Sequence, residues 1–137
     1  MRKYLYNASQ NYKIKESQKM KKINFNIKGV TFNNRQNYIA YLLKHPKSFL
    51  VFSREKDNKY DANAIAVGAY NPESKKYVPI GYVPKEIAKD ISPLIDRGYK
   101  IYTHKYEVTG GYGYKFGVKV SISLYMPREN TNIAYEH

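Results

Sequence analysis

From Lys115 to Leu124 the chain alternates. Phe116, Val118, Val120, Ile122 and Leu124 fall on one side; Lys115, Lys119, Ser121 and Ser123 fall on the other. A period of two puts all five apolar side chains on one face of an extended strand, and no helix satisfies that spacing. A strand with one apolar face must bury it against something. This segment therefore commits the chain to a sheet with a core on one side.

Most of the remaining pattern is also strand. Ile23, Phe25, Ile27 and Gly29 alternate with Asn24, Asn26 and Lys28, and Val30-Thr31-Phe32 continues the run, which predicts a first strand. Ser48–Phe52, Asn63–Tyr70, Tyr77–Val83 and Tyr99–Val108 read as further strands. Pro79 places the Tyr77–Val83 strand at a sheet edge or a bulge. Thr109-Gly110-Gly111-Tyr112-Gly113 joins the last two strands as a glycine-rich hairpin. Two helices interrupt this pattern. Arg35–Lys44 carries Tyr38, Ile39, Leu42 and Leu43 at helical spacing, with Asn33-Asn34 as cap candidates and Pro46 beyond its end. Pro84–Arg97 places Ile87, Ala88, Ile91, Leu94 and Ile95 on one face, with Gly98 to end it and Pro93 expected to kink or split it. The expected architecture is mainly β with two short helices, closed into a small barrel or a strongly curved sheet.

The chain has 137 residues, room for one domain with tails. Residues 1–22 carry seven Lys or Arg against the single acid Glu16 and read as a basic flexible arm; residues 23–125 form the barrel domain, and 126–137 a frayed tail. The net charge is +13, from 24 Lys+Arg against 11 Asp+Glu. Such an excess implies an anionic partner, nucleic acid before a membrane surface. The 16 tyrosines among these lysines suit single strands, since bases stack on rings while phosphates pair with ammonium groups. The abundance of Lys, Asn, Ile and Tyr together is equally what an AT-rich genome produces. With no cysteine there is no disulfide framework and no thiolate metal site, and the three histidines are scattered, so no cofactor is expected. No apolar run approaches the ~18 residues of a membrane span, and no signal peptide is recognisable, so a cytoplasmic location without membrane contact is expected.

Against this basic background, the segment Arg54 to Val67 is unusual. It sets Asp57 and Asp61 beside Tyr60, in a turn before an apolar run. A carboxylate at the centre of a phosphate-binding surface repels what the surface attracts. It makes sense where a hydroxyl must be told from a phosphate, because a hydroxyl donates to a carboxylate and a phosphate is repelled by it. The alternative is that Asp61 and Asn63 only build the turn, through side-chain to backbone bonds. Glu55 is expected to pair with Arg54 or a lysine. Asp57 with Asp61 offers too few oxygen ligands for a divalent ion, so a metal-dependent nuclease is the weaker reading. A protein-interaction module that docks on a DNA-processing enzyme is a further one.

Three separated motifs occur in order: Gly29-Val30-Thr31-Phe32 with Arg35-Gln36; Arg54-Glu55, Asp57-Asn58, Tyr60-Asp61 and Asn63 to Val67; and Ile80-Gly81-Tyr82-Val83-Pro84-Lys85-Glu86-Ile87-Ala88. Together, over about residues 26 to 124, they resemble the HIRAN domain found at the N-terminus of Rad5-like DNA-repair helicases. The resemblance implies a small OB-like or SH3-like β-barrel that is not itself an enzyme and binds the 3′ end of single-stranded DNA, beside a helicase or nuclease. It implies that Phe32 and Tyr60 stack bases, that Asp61 accepts the terminal 3′-hydroxyl, and that Tyr82 and Lys85 contact the terminal nucleotide and its phosphate. Thr31-Phe32-Asn33 stands where helicase members carry Arg-Tyr-Tyr, so the phosphate-binding arginine is missing there and Arg35 is the candidate to replace it. On the residues alone, Phe32 fits a barrel core, Tyr82 fits core or site equally, Lys85 in the first turn of a helix fits a phosphate contact or a solvated face equally, and Lys115 and Lys119 fit a solvated face.

Overall fold

The computed structural model describes residues 4–7, 12–15 and 19–127. Eight strands and two helices follow one another as β1 (Tyr4–Asn7), β2 (Tyr12–Lys15), β3 (Ile23–Asn26), α1 (Arg35–Lys44), β4 (Phe49–Arg54), β5 (Ile65–Asn71), β6 (Lys76–Tyr82), α2 (Lys85–Asp96), β7 (Lys100–Gly111) and β8 (Tyr114–Tyr125). Within the basic N-terminal segment, β1 and β2 pair antiparallel. Residues 128–137, most of the expected frayed tail, lie outside the described residues.

The domain is mainly β with two short helices, as its alternation requires. It is built from two antiparallel three-stranded sheets, ordered β3-β8-β7 and β4-β5-β6. The apolar set of β8 faces inward: Val118, Val120, Ile122 and Leu124 are all buried. They meet Leu50 of β4, Ile65 and Val67 of β5, Val78 and Ile80 of β6, Ile39 and Leu42 of α1, and Ala88 and Ile91 of α2 in one core. Burying such side chains contributes about 1.5–3 kcal/mol each, so the two sheets and both helices are held by a shared apolar centre.

The sheets do not close into a barrel. On one side they meet through a single bridge: the Lys28 N–H donates to the Tyr82 carbonyl at 2.8 Å, and the Tyr82 N–H donates to the Lys28 carbonyl at 2.9 Å. Gly81 permits this approach, because a Cβ there would lie 2.3 Å from the Lys28 carbonyl oxygen. On the other side the edge strands β4 and β7 do not pair with each other. Ile95 and Tyr99 stand in the gap, with Leu50, Phe52 and Ile101, around a groove of about 310 Å³. The end of α2 thus occupies the space a closing ladder would need.

Several local expectations change. The first strand stops at Asn26, and Val30 to Asn34 form a turn instead, closed by the Phe32 N–H on the Gly29 carbonyl at 3.2 Å. The β propensity of Val30-Thr31-Phe32 loses to three left-handed residues around it: Gly29 at φ 73°, Asn33 at 54° and Asn34 at 65°. Asn34 takes the position before α1 but gives it no side-chain cap. Pro93 does not split α2, which runs unbroken with the proline on its exposed side. Pro79 lies on the edge strand β6, opposite a register shift between Val67 and Gly68, so edge and bulge coincide.

Candidate nucleic-acid interface

The Lys28–Tyr82 bridge brings two loops together: the turn before α1 and the segment between β4 and β5. Each begins with a constraint written in its own residues. In the first, Arg35 opens α1 and turns back, donating from Nη1 to the Gly29 carbonyl at 2.7 Å. Its guanidinium lies 5.4 Å from the centre of the Tyr82 ring, within cation–π range. Arg35 makes no ion pair with a carboxylate among the described residues, and its Nε is buried without a hydrogen-bond partner there. Phe32 projects from this turn and is 65 % exposed. The packing alternative for Phe32 therefore fails: its ring is outside the core.

In the second loop, Asn58 is the organiser. Its Oδ1 accepts from the backbone N–H groups of Tyr60 at 2.9 Å and Asp61 at 3.0 Å. Its Nδ2 donates to Glu55 Oε1 at 3.1 Å. The same Oε1 accepts the Tyr82 hydroxyl at 2.9 Å. Glu55 does not pair with Arg54, as the sequence suggested; Arg54 makes a two-pronged contact with Asp96 at 3.1 and 3.2 Å. That contact fixes the end of β4 to the end of α2. The loop is fastened again where Ser92 Oγ, buried in α2, donates to the Asn63 carbonyl at 2.6 Å. Polar contacts therefore connect Gly29, Arg35, Tyr82, Glu55, Asn58 and Asp61 across both sheets.

Asp61 is half-buried. Its Oδ1 accepts the Asn63 N–H at 2.9 Å, and its carbonyl accepts the Ala64 N–H at 3.0 Å. The turn-building role weighed from the sequence is thus present. It uses one carboxylate oxygen; Oδ2 takes no hydrogen bond among the described residues. Beside it, Tyr60 is 92 % exposed, a ring with almost no contact of its own. An exposed ring of this size gains nothing for folding and is available to stack.

Tyr82 is half-buried between Arg35 and Glu55. Burial, then the hydrogen bond to Glu55, hold its hydroxyl above the usual tyrosine range, with the Arg35 charge opposing. It is therefore a neutral donor at physiological pH. Lys85 is exposed in the first turn of α2, three residues beyond Tyr82, and its side chain makes no hydrogen bond or ion pair with the other candidates among the described residues. Lys28 and Lys59 are also exposed beside the site. Lys119 lies elsewhere, on the exposed face of the β3-β8-β7 sheet with Asn24, Asn26 and Lys105, around a shallow depression of about 460 Å³. Among the described residues no group of three or more histidines or carboxylates could hold a metal ion, and no helix is long and apolar enough to cross a membrane.

The sequence motif contained Glu55 and Asn58 but did not show that they connect the two loops, and Ser92 was not singled out at all. Asn58 carried a local signal, since asparagine two or three residues ahead of a turn accepts its backbone N–H groups. The Glu55–Tyr82 and Ser92–Asn63 contacts carried none, because those partners lie 27 and 29 residues apart.

Exposed rings, a cation without an acidic partner among the described residues and a carboxylate with one spare oxygen are thus carried on a two-sheet β domain of high positive charge. The HIRAN domain family model matches residues 20–125, most of the chain. This protein belongs to the HIRAN domain family, whose members are known generally as DNA-binding modules and are generally non-catalytic. Searches of curated proteins and of solved structures returned no match.

Proposed function

We propose that this HIRAN domain grips the 3′ end of single-stranded DNA. The observation that carries the reading is the connected strip from Phe32 through Arg35 and Tyr82 to Tyr60 and Asp61, in which two exposed rings flank a cation and end at a carboxylate. Phe32 and Tyr60 stack bases, each contact worth roughly 1–3 kcal/mol. Arg35 faces a backbone phosphate, in place of the arginine missing from the turn. Asp61 accepts the terminal hydroxyl on Oδ2 while Oδ1 keeps the turn. Lys85 and its lysine neighbours add salt-sensitive affinity without selecting the end.

An internal nucleotide puts a phosphate where the terminal hydroxyl sits, and a phosphate against Asp61 is repelled. The chain therefore binds an oligonucleotide with a free 3′-hydroxyl more tightly than the same oligonucleotide 3′-phosphorylated. Equal affinity for the two defeats the reading. Exposed 3′ ends arise at stalled forks and at breaks, so a helicase or nuclease acting in DNA repair, replication or mobile-element processing is the partner class this function implies.

A further inference from the structure

The hairpin between β7 and β8 carries two rings that the site above does not use. Tyr114 is 80 % exposed and Tyr112 is fully exposed. Tyr112 also sits at φ 52°, in the left-handed region, between Gly111 at 95° and Gly113 at 91°. Glycine adopts that conformation freely and tyrosine does not. A ring held in water on a strained residue gives nothing to folding, which directs attention to what it touches outside the chain.

The position of these rings is set by Gln36. Its Nε2 donates to the Val30 carbonyl at 3.0 Å and to the Phe116 carbonyl at 2.9 Å, and its Oε1 accepts the Phe116 N–H at 2.8 Å. One side chain thereby pins the turn that carries Phe32 to the strand that carries Tyr114. Each of those two rings lies two residues from the carbonyl that Gln36 holds. Exposed Lys115 stands between the anchored Phe116 and the tip.

We propose that the hairpin tip is a second stacking platform for the same single strand, resting on the end-binding function above. Tyr114 and Tyr112 take unpaired bases on the 5′ side of the terminal nucleotides. The direction follows from the fold: with the 3′ terminus at Asp61, the strand passes Phe32 and continues onto the hairpin. A single strand is the occupant because its bases offer the π-faces two exposed rings can stack on, while its phosphates meet the chain's net charge of +13. An acidic peptide would meet the charge and leave two rings idle.

The test uses oligothymidylates of about 3 and about 10 nucleotides, within and beyond what the end site spans. Both carry a free 3′-hydroxyl and are titrated by fluorescence anisotropy against the full chain and against the double variant Tyr112→Gly, Tyr114→Ala, with thermal unfolding measured alongside. The wild-type chain is expected to bind the longer strand more tightly. The variant is expected to lose about fivefold or more on the longer strand, one stacking contact at its lower limit. It keeps its affinity for the shorter strand and its preference for a free 3′-hydroxyl, and it melts no lower than the wild type. An unchanged length dependence overturns the platform and leaves end binding standing. An equal loss on both strands also overturns it. If the wild-type chain ignores the terminal group while the variant still loses the longer strand, end binding fails and the strand direction assigned here fails with it.

Discussion

Replacing Asp61 separates two roles that one carboxylate performs at once. Oδ1 holds the Asn63 N–H at 2.9 Å; Oδ2 is the oxygen assigned to the DNA terminus. Asparagine keeps an oxygen where Oδ1 stands, so Asp61→Asn retains the turn and should change unfolding free energy by less than about 0.5 kcal/mol. Asp61→Ala deletes the acceptor and should cost about 1 kcal/mol. Binding follows a different order. A phosphate charge about 4 Å from the carboxylate is repelled by about 1 kcal/mol in bulk water and by about 4 kcal/mol at an effective dielectric constant of 20. For a half-buried Asp61 the wild-type preference for a free 3′-hydroxyl over a 3′-phosphate therefore falls between roughly fivefold and a thousandfold. Both variants lack the charge, so both should compress that ratio toward unity, with overall affinity equal or slightly higher. Urea unfolding gives the first quantity and anisotropy with the matched oligonucleotides gives the second. An Asn variant that folds normally yet keeps the full wild-type ratio refutes the reasoning.

Gly81→Ala should destabilise the domain by about 2–4 kcal/mol, since a Cβ 2.3 Å from the Lys28 carbonyl cannot coexist with the two hydrogen bonds that join the sheets; a loss below about 1 kcal/mol in urea unfolding would show that the bridge matters little. Tyr82, Tyr77 and Tyr106 all have hydroxyls held above the usual tyrosine value of 10.0, each with burial as the main cause. A raised folded-state pKa favours the protonated native form, so this stabilisation is complete below about pH 10 and declines as pH climbs through the raised values. Tyrosinate absorbance followed beside unfolding should show the three titrating late and stability falling only in that alkaline range; a fall that begins near neutral pH would contradict the assignment.

What the sequence made legible was what local pattern carries. The period of β8 was readable because five apolar residues in strict alternation permit one conformation and one buried face. The Asp61 turn was readable because Asp and Asn bond their own backbone within two residues. The turn that presents Phe32 was not, since Val30-Thr31-Phe32 has strand propensity and only the left-handed Gly29, Asn33 and Asn34 reveal that the chain has left the sheet. The same error made a core position of Phe32 plausible. Barrel closure was beyond local pattern altogether: it depends on where Ile95 and Tyr99 come to rest between β4 and β7. Of the candidate residues, Phe32, Arg35, Tyr60, Asp61 and Tyr82 come together because Glu55 and Asn58 connect their loops. Both stand in the sequence motif, but their bonds to each other and to Tyr82 could not be read from it.

The most direct test is a map of backbone amide shifts by nuclear magnetic resonance as two oligonucleotides are added, one ending in a 3′-hydroxyl and one in a 3′-phosphate. The account predicts that both move the amides around Phe32 and Arg35, while only the hydroxyl-ended strand moves those of Tyr60, Asp61 and Asn63. Identical maps for the two strands, or shifts gathered around Asn24, Lys105 and Lys119 on the far sheet face, would contradict it.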